Sequence, residues 1–325
     1  MLKILYAASN NQNASIQLSR FIEASRNLSF KLKIAAYKKS YPYNSYVDWT
    51  LDSLINILNT ENVSLDNDNY RIYYEQVIQY SPDLIISDLE YYTSTIAMDL
   101  DIPLWQCSSS FLNMGLYPKD KYSSGIFTNY SYLFNKNPSV NKRLINLIDN
   151  SNYNLVYSHF GDCNNPPLLK KNFNWVRPYH SVGKRSKPCR HNIVAITLEQ
   201  NKSTLALLKK EDDCVIFNSG NILEQYDNIM IKDIKDTDEY FCNIYNSNHF
   251  INEGQTSFLA DAFYNNKFSL VKLNHSDPES VLNSLLSEKI GLSKTITSFD
   301  SKNKLDFDVK DNNIPYLHEY IYNIL

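Results

Sequence analysis

Three short segments of this 325-residue chain place side chains where they could do chemistry. In Asn252-Glu253-Gly254-Gln255-Thr256-Ser257, one glycine and two hydroxyl side chains stand where a helix begins. The first N–H groups of a helix lack intrahelical partners and carry partial positive charge, so such a start suits a diphosphate. Asp261 lies one to two turns further on, where a carboxylate could take two hydrogen bonds from a ribose diol. Thr and Ser are also common plain helix caps, which is the competing reading of Thr256 and Ser257.

The second segment is Ser87-Asp88-Leu89-Glu90, which follows the apolar run Leu84–Ile86. A carboxylate held at a strand end, with its pKa raised by burial, could take a proton from an attacking hydroxyl. An Asp capping the helix that starts near Tyr91 is the alternative. The third is Tyr157-Ser158-His159-Phe160-Gly161-Asp162, where His159 and Asp162 could form an orienting pair or His159 could be a structural histidine near a turn.

Other chemistry loses its footing. The first 114 residues contain no glycine, and neither Gly-x-Gly-x-x-Gly nor Gly-x-x-x-x-Gly-Lys occurs, so the glycine cradles of dinucleotide oxidoreductases and P-loop NTPases are absent. The five cysteines are scattered, and His180 with Cys189-Arg190-His191 lacks ligand spacing, so no metal site is expected. Lys+Arg at 32 against Asp+Glu at 35 gives a net charge of -3, which argues against binding driven by nucleic-acid phosphates. No apolar run approaches the roughly 20 residues of a membrane helix, and the start lacks a signal peptide's pattern. A cytoplasmic protein is expected.

The elements that must hold these segments alternate. Leu2–Ala7 reads as a buried strand, followed by a helix through Ile16, Leu18, Phe21 and Ile22. A β-like run covers Phe30–Tyr37, and Trp49, Leu51, Leu54, Ile55 and Leu58 recur at helical period. Strand Leu84–Ser87, helix Tyr92–Leu100 and strand Pro103–Cys107 complete a first α/β series. After the polar, basic stretch 183–188 a second series runs from strand Ile193–Thr197 to helix Glu279–Ile290. This predicts two doubly wound α/β domains, 1–182 and 187–312, facing a cleft, with 313–325 as a helix returning to the first domain.

Within this frame the chain resembles the GT-B nucleotide-sugar glycosyltransferases, particularly the branch with the GlcNAc transferase of peptidoglycan synthesis. That family reads Gly-Gly-x-Ser/Thr-x-x-x-Glu-Ala, then Gly-Lys-Pro and a strand, then Asp-x-Glu-Gln-x-x-Asn-Ala and a helix ending near Gly-Leu. This chain reads Gly254-Gln255-Thr256-Ser257-Phe258-Leu259-Ala260-Asp261-Ala262, Asn266-Lys267-Phe268, Asp277-Pro278-Glu279-Ser280-Val281-Leu282-Asn283-Ser284 and Gly291-Leu292. In the first half, Ser81-Pro82-Asp83 through Asp88, then Asp101-Ile102-Pro103, is similar to the family's strand, Asp, helix, Ile-Pro segment.

The resemblance implies transfer of a hexose or pentose from a nucleotide-sugar donor, a UDP-sugar foremost, with no cofactor; the cleft segments carry no Asp-x-Asp motif, so main-chain dipoles rather than a metal are expected to hold the leaving diphosphate. It implies a donor diphosphate on Gly254, Gln255, Thr256 and Ser257, ribose on Asp261, and sugar hydroxyls on Glu279 and Asn283. The base would meet the main chain at Asp233-Ile234. Ser280 replaces a sugar-reading Gln, and Asp261 is one methylene shorter than the family's Glu. Where the family places Gly-x-Gly-His after its first strand, this chain has Asn10-Asn11-Gln12-Asn13, so the base is expected among Asp88, Glu90 and His159. The acceptor is open among a glycan, a lipid-linked sugar and a modified nucleic acid, as is the choice between inversion and retention. Rival readings are a hydrolase or epimerase of the same fold and a non-catalytic binder of sugar nucleotides or glycans.

Overall fold

The computed structural model describes residues 1–9, 12–25, 29–37, 48–51, 65, 68–117, 120–122, 138–180, 191–197, 206–208, 211, 213–218, 229–233, 237–273, 277–297 and 313–324. The first half runs β1 (Lys3–Ala8), α1 (Gln12–Ser25), β2 (Lys31–Tyr37), β3 (Trp49–Leu51), α2 (Asp68–Tyr80), β4 (Leu84–Asp88) and α3 (Tyr91–Asp99). It continues with β5 (Leu104–Ser108), α4 (Phe111–Gly115), α5 (Pro138–Asn150), β6 (Tyr153–Tyr157) and β7 (Phe173–Val176). The second half runs β8 (Ile193–Thr197), β9 (Cys214–Asn218), β10 (Ile229–Asp233), α6 (Thr237–Asn246), β11 (His249–Asn252) and α7 (Thr256–Tyr264). It ends with β12 (Ser269–Val271), α8 (Pro278–Ile290), β13 (Ser293–Thr295) and α9 (Leu317–Ile324).

The strands are apolar runs because both faces of each sheet are covered. Every residue of β4, β5 and β8 is buried, and β1 is buried from Ile4 onward. The helices turn one stripe inward, as Tyr70, Tyr73 and Val77 do on α2. These strands pair in parallel, in the order β3-β2-β1-β4-β5-β6-β7 for the first sheet and β10-β9-β8-β11-β12-β13 for the second. Two doubly wound α/β sheets are therefore present.

One expectation is corrected. Trp49 and Leu51 fall at helical spacing with later apolar residues, yet Trp49–Leu51 is an edge strand paired with β2. The indole lies edge-on to the rings of Tyr73 and Tyr80 at 5.9 Å each. That contact, not the periodicity, decides its conformation. Residues 52–64, over which the helical spacing continues, lie outside the described residues.

Strand order reverses between β1 and β4 in the first sheet and between β8 and β11 in the second. At such a reversal the following helices depart to opposite faces and open a crevice beyond the strand ends. Asp88 ends β4, and the segment Glu253–Ser257 follows β11, so both candidate segments stand at these points.

Three contacts join the halves. Phe263 of α7 and Leu282 and Leu286 of α8 pack in one buried cluster with Leu89, Phe111, Leu112 and Phe160 of the first half. The last helix returns as expected: Leu317 and Ile321 of α9 lie in the first sheet's core with Tyr6, Phe21 and Tyr179. Asp162 ties the crossing together, accepting from Arg177 Nη2 (3.2 Å), Tyr264 Oη (2.6 Å) and the Ile314 N–H (3.3 Å).

Candidate functional site

The start of α7 is built around Gly254. Its φ of 86° is left-handed, and an added Cβ would stand 2.1 Å from Ser284 Oγ and 2.7 Å from the Ser280 carbonyl oxygen. Only glycine meets both conditions, so the backbone here approaches α8 closely. Gln255 takes the N-cap position with extended φ and ψ, but its side chain makes no capping bond. The Gln255 carbonyl accepts from the Phe258 N–H at 3.1 Å, but the Thr256 and Ser257 amides receive no side-chain acceptor from the cap, while the helix dipole concentrates positive potential on them.

Side chains from α8 and β11 surround this turn. Asn283 Nδ2 donates to Thr256 Oγ1 (2.9 Å), and Thr256 Oγ1 donates to Glu279 Oε1 (3.3 Å). Glu279 Oε2 accepts from Ser110 Oγ of the first half at 2.7 Å, so this carboxylate bridges the two sheets' ends. Burial pushes the Glu279 carboxyl above its ordinary value, and Asp277 adds to the rise, while hydrogen bonds from Ser109, Ser110 and Thr256 oppose it. Glu253 accepts from Thr197 Oγ1 at 2.8 Å, joining the ends of β8 and β11.

Across the seam, Asp88 is 5% exposed and its carboxyl is raised to about 7. Burial is the main cause; a hydrogen bond from Ser108 opposes it and the charge of Glu279 adds to it. The backbone positions it tightly, since the next residue, Leu89, is buried with a φ of 52°, a conformation unusual for a non-glycine. Among the described residues, Asp88 Oδ1, Gln255 Oε1 and Asn283 Oδ1 are buried acceptors with no partner. Such atoms are costly to leave unmet, and hydroxyl-bearing ligands would meet them.

The other two proposed acid–base residues are placed differently. Glu90 is fully buried as the N-cap of α3, accepting from the Tyr92 N–H at 3.0 Å and the Thr93 N–H at 2.6 Å. Its carboxylate is thus spent on the cap, as the alternative reading of this segment anticipated, though at Glu90 rather than Asp88. His159 opens a short 3-10 turn, packed on Phe160 and Phe263 with ring centroids at 4.2 Å and 5.4 Å. Burial lowers its pKa to about 3, so the ring is neutral at physiological pH and a feeble proton acceptor. Asp162, expected to orient it, binds Arg177, Tyr264 and the Ile314 amide instead.

Asp261 is fully buried, and Oδ2 accepts from Arg20 Nη2 at 2.8 Å and Tyr240 Oη at 2.9 Å. One turn earlier, Ser257 Oγ accepts from Gln17 Nε2 at 2.9 Å. Gln17 also clasps Tyr179, accepting from its N–H at 3.0 Å and donating to its carbonyl at 3.3 Å. Helix α1 therefore covers the Ser257 and Asp261 face of α7, the face expected to meet the nucleotide. Ile234 and Asn10-Asn11 lie outside the described residues, as does the connector 183–188.

The structure gathers Asp88, Gly254, Gln255, Thr256, Ser257, Glu279 and Asn283 around one seam. It adds Gln17, Arg20 and Ser108–Ser110, which sequence reasoning did not single out. A signal existed for two of them: Gln17 and Arg20 interrupt the stripe of Ile16, Leu18, Phe21 and Ile22 that the helix turns inward. Among the described residues no group of three His, Cys, Asp or Glu is arranged to hold a metal, and no helix is long and apolar enough to cross a membrane.

No family model matches the sequence, and no curated protein matches it either. Solved structures do share its fold. Spinosyn forosaminyltransferase SpnP is 12% identical with a TM-score of 0.59, over 93% of this chain and 87% of its own. Glycosyltransferase SsfS6 of Streptomyces sp. SF2575 is 11% identical with a TM-score of 0.59, over 91% and 88%. Spinosyn rhamnosyltransferase SpnG, solved with thymidine diphosphate, is 11% identical with a TM-score of 0.59, over 94% and 88%. The likeness establishes the two-sheet GT-B fold across nearly the whole chain. It lends no support to the narrower resemblance to the peptidoglycan branch.

Proposed function

We propose that this chain is a glycosyltransferase whose α7 start receives a nucleoside diphosphate sugar and whose first sheet holds the acceptor. The observation that carries the reading is the helix start at Gln255–Ser257. It stands at a strand-order reversal, its cap side chain leaves the first-turn amides alone, and buried acceptors without partners surround it. Diphosphate on the amides and sugar hydroxyls on Asn283 and Glu279 would satisfy the donors and acceptors together. A pyrimidine diphosphate fits the reading from two sides: the sequence resemblance favours UDP, and a structural neighbour was solved with thymidine diphosphate.

Asp88 is the residue we assign to the acceptor proton. As the new glycosidic bond forms at the anomeric carbon, the acceptor hydroxyl passes its proton to the carboxylate, and the bond to the diphosphate breaks with both electrons. A pKa near 7 suits that task at physiological pH. A single displacement of this kind inverts the anomeric centre. The leaving diphosphate would be stabilised by the α7 amides without a bound metal. We divide the chain accordingly into an acceptor domain, 1–182, a donor domain, 187–312, and a returning helix, 313–325, and place the protein in the cytoplasm.

The test is a thermal-shift screen of UDP-, dTDP-, GDP- and CMP-sugars, followed by nucleotide release with and without candidate acceptors. A ligand that prefers the folded state raises Tm by mass action. The reading expects a shift with a UDP- or dTDP-sugar and acceptor-dependent release. Release without acceptor marks a hydrolase, and binding without turnover marks a binding protein. No shift with any nucleotide overturns the reading.

A further inference from the structure

Helix α1 presents two polar side chains to α7 in register. Gln17 and Arg20 are three residues apart and therefore share a face of α1, and Ser257 and Asp261 are four apart and share a face of α7. The pairing is one-to-one, Gln17 with Ser257 and Arg20 with Asp261. Arg20 retains a side-chain exposure of 16%, whereas Asp261 has none. Its guanidinium also donates to the Tyr179 carbonyl at 2.8 Å through Nη1.

The proposed donor position has an electrostatic difficulty. A diphosphate at the start of α7 would arrive among the buried carboxyl side chains of Asp88, Glu253 and Asp261 and the half-buried one of Glu279, around the same seam. Backbone amides alone supply partial charge, and like charges at these distances repel strongly in a poorly solvated seam. A full positive charge is needed close by. Arg20 pairs with Asp261, which lies one helical turn from Ser257 along α7, and a guanidinium presents its donors in the planar fork that matches phosphate oxygens.

Resting on the donor reading above, we propose that Arg20 is a donor-binding residue supplied by the first domain: it leaves Asp261 when the ribose diol arrives and takes the diphosphate. The buried, partnerless Asn283 Oδ1 and Gln255 Oε1 beside the same turn mark the space as one completed by a ligand. Asp261 then exchanges one set of donors, Arg20 Nη2, for another, the ribose hydroxyls, so neither group is left unmet. Gln17 releases Ser257 in the same movement, since both contacts belong to one face of α1.

The experiment is calorimetric titration of UDP, dTDP, uridine and thymidine into the full-length protein and its Arg20→Gln and Arg20→Lys variants. Arg20→Gln is expected to weaken the diphosphate that binds wild type by about 10- to 100-fold, with nucleoside affinity held within about twofold. Arg20→Lys keeps the charge but loses the fork, and should fall between; if Arg20→Gln fails to fold, Arg20→Lys carries the comparison. Equal weakening of nucleoside and diphosphate would mean that Arg20 only clamps the domains, and tighter diphosphate binding would mean that it only competes for Asp261. Either result overturns the inference alone. If wild type binds none of the four ligands, the donor reading falls first and takes this inference with it.

Discussion

The two domains each begin a helix in the same way and then use it for opposite ends. After β4, Leu89 at φ 52° turns the chain into Glu90, the cap of α3; after β11, Gly254 at φ 86° turns it into Gln255, the cap of α7. Glu90 carries a carboxylate, which binds the Tyr92 and Thr93 amides and completes the turn. Gln255 carries a neutral amide that caps nothing. A helix start already holding its own anion is a structural joint, whereas the one whose cap side chain supplies none is the start we propose for the donor diphosphate. One side chain at one equivalent position separates the two.

The sharpest way to test the division of labour between these turns is to remove the acid that precedes the first of them. Asp88→Asn should lower kcat by roughly 10²- to 10⁴-fold, leaving nucleotide binding close to wild type. The wild-type rate should rise with pH and level off near 7, where the Asp88 carboxyl loses its proton, because only the carboxylate can accept one. A flat profile below pH 7 would remove Asp88 from the chemistry.

The comparison itself can be inverted with Gln255→Glu, which gives α7 the cap that α3 has. A carboxylate there should occupy the amides and repel a diphosphate, weakening UDP or dTDP binding on the order of 100-fold, with the gain from capping offset in Tm by repulsion from the buried Glu253 beside it. Unchanged affinity in calorimetry would show that the bare cap has no bearing on binding. Gly254→Ala tests the close approach to α8: the left-handed φ and the clash with the Ser280 carbonyl should cost about 2 to 3 kcal/mol in denaturant unfolding. A loss below that would mean the turn can relax.

Glu90→Gln should have the smallest effect, about 1 kcal/mol of stability for a weakened cap, with nucleotide affinity untouched. Asp88→Asn carries a stability signature of its own. Because burial raises the folded-state carboxyl from 3.8 to about 7, wild type loses stability as pH rises through that window. The amide removes the penalty, so the variant should be the more stable protein at pH 8 and lose its advantage near pH 4. Thermal melts across pH would reveal the opposite trend if Asp88 were instead stabilised as an anion.

Much of this was legible beforehand. Buried parallel strands announce themselves as unbroken apolar runs, and Asp88 and Gly254–Ser257 follow two of them directly. Trp49 was misread because aromatic packing on Tyr73 and Tyr80 overrode a helical spacing. Glu90 could not be told from Asp88, since which of two acids caps a helix depends on the left-handed turn at the intervening Leu89. His159 and Asp162 are three apart in sequence, but Asp162 belongs to a network drawn from α7 and the returning segment at Ile314, which no local pattern encodes. Gln17 and Arg20 belong to the same class: their partners lie 240 and 241 residues away.

The most direct test is a titration of UDP or dTDP into 15N-labelled protein, following the backbone amides of both helix starts. Large shifts at Thr256 and Ser257, with Tyr92 and Thr93 unmoved, are the expected result. Shifts at Tyr92 and Thr93 instead, or no shift at Thr256 and Ser257 at saturating nucleotide, would contradict it.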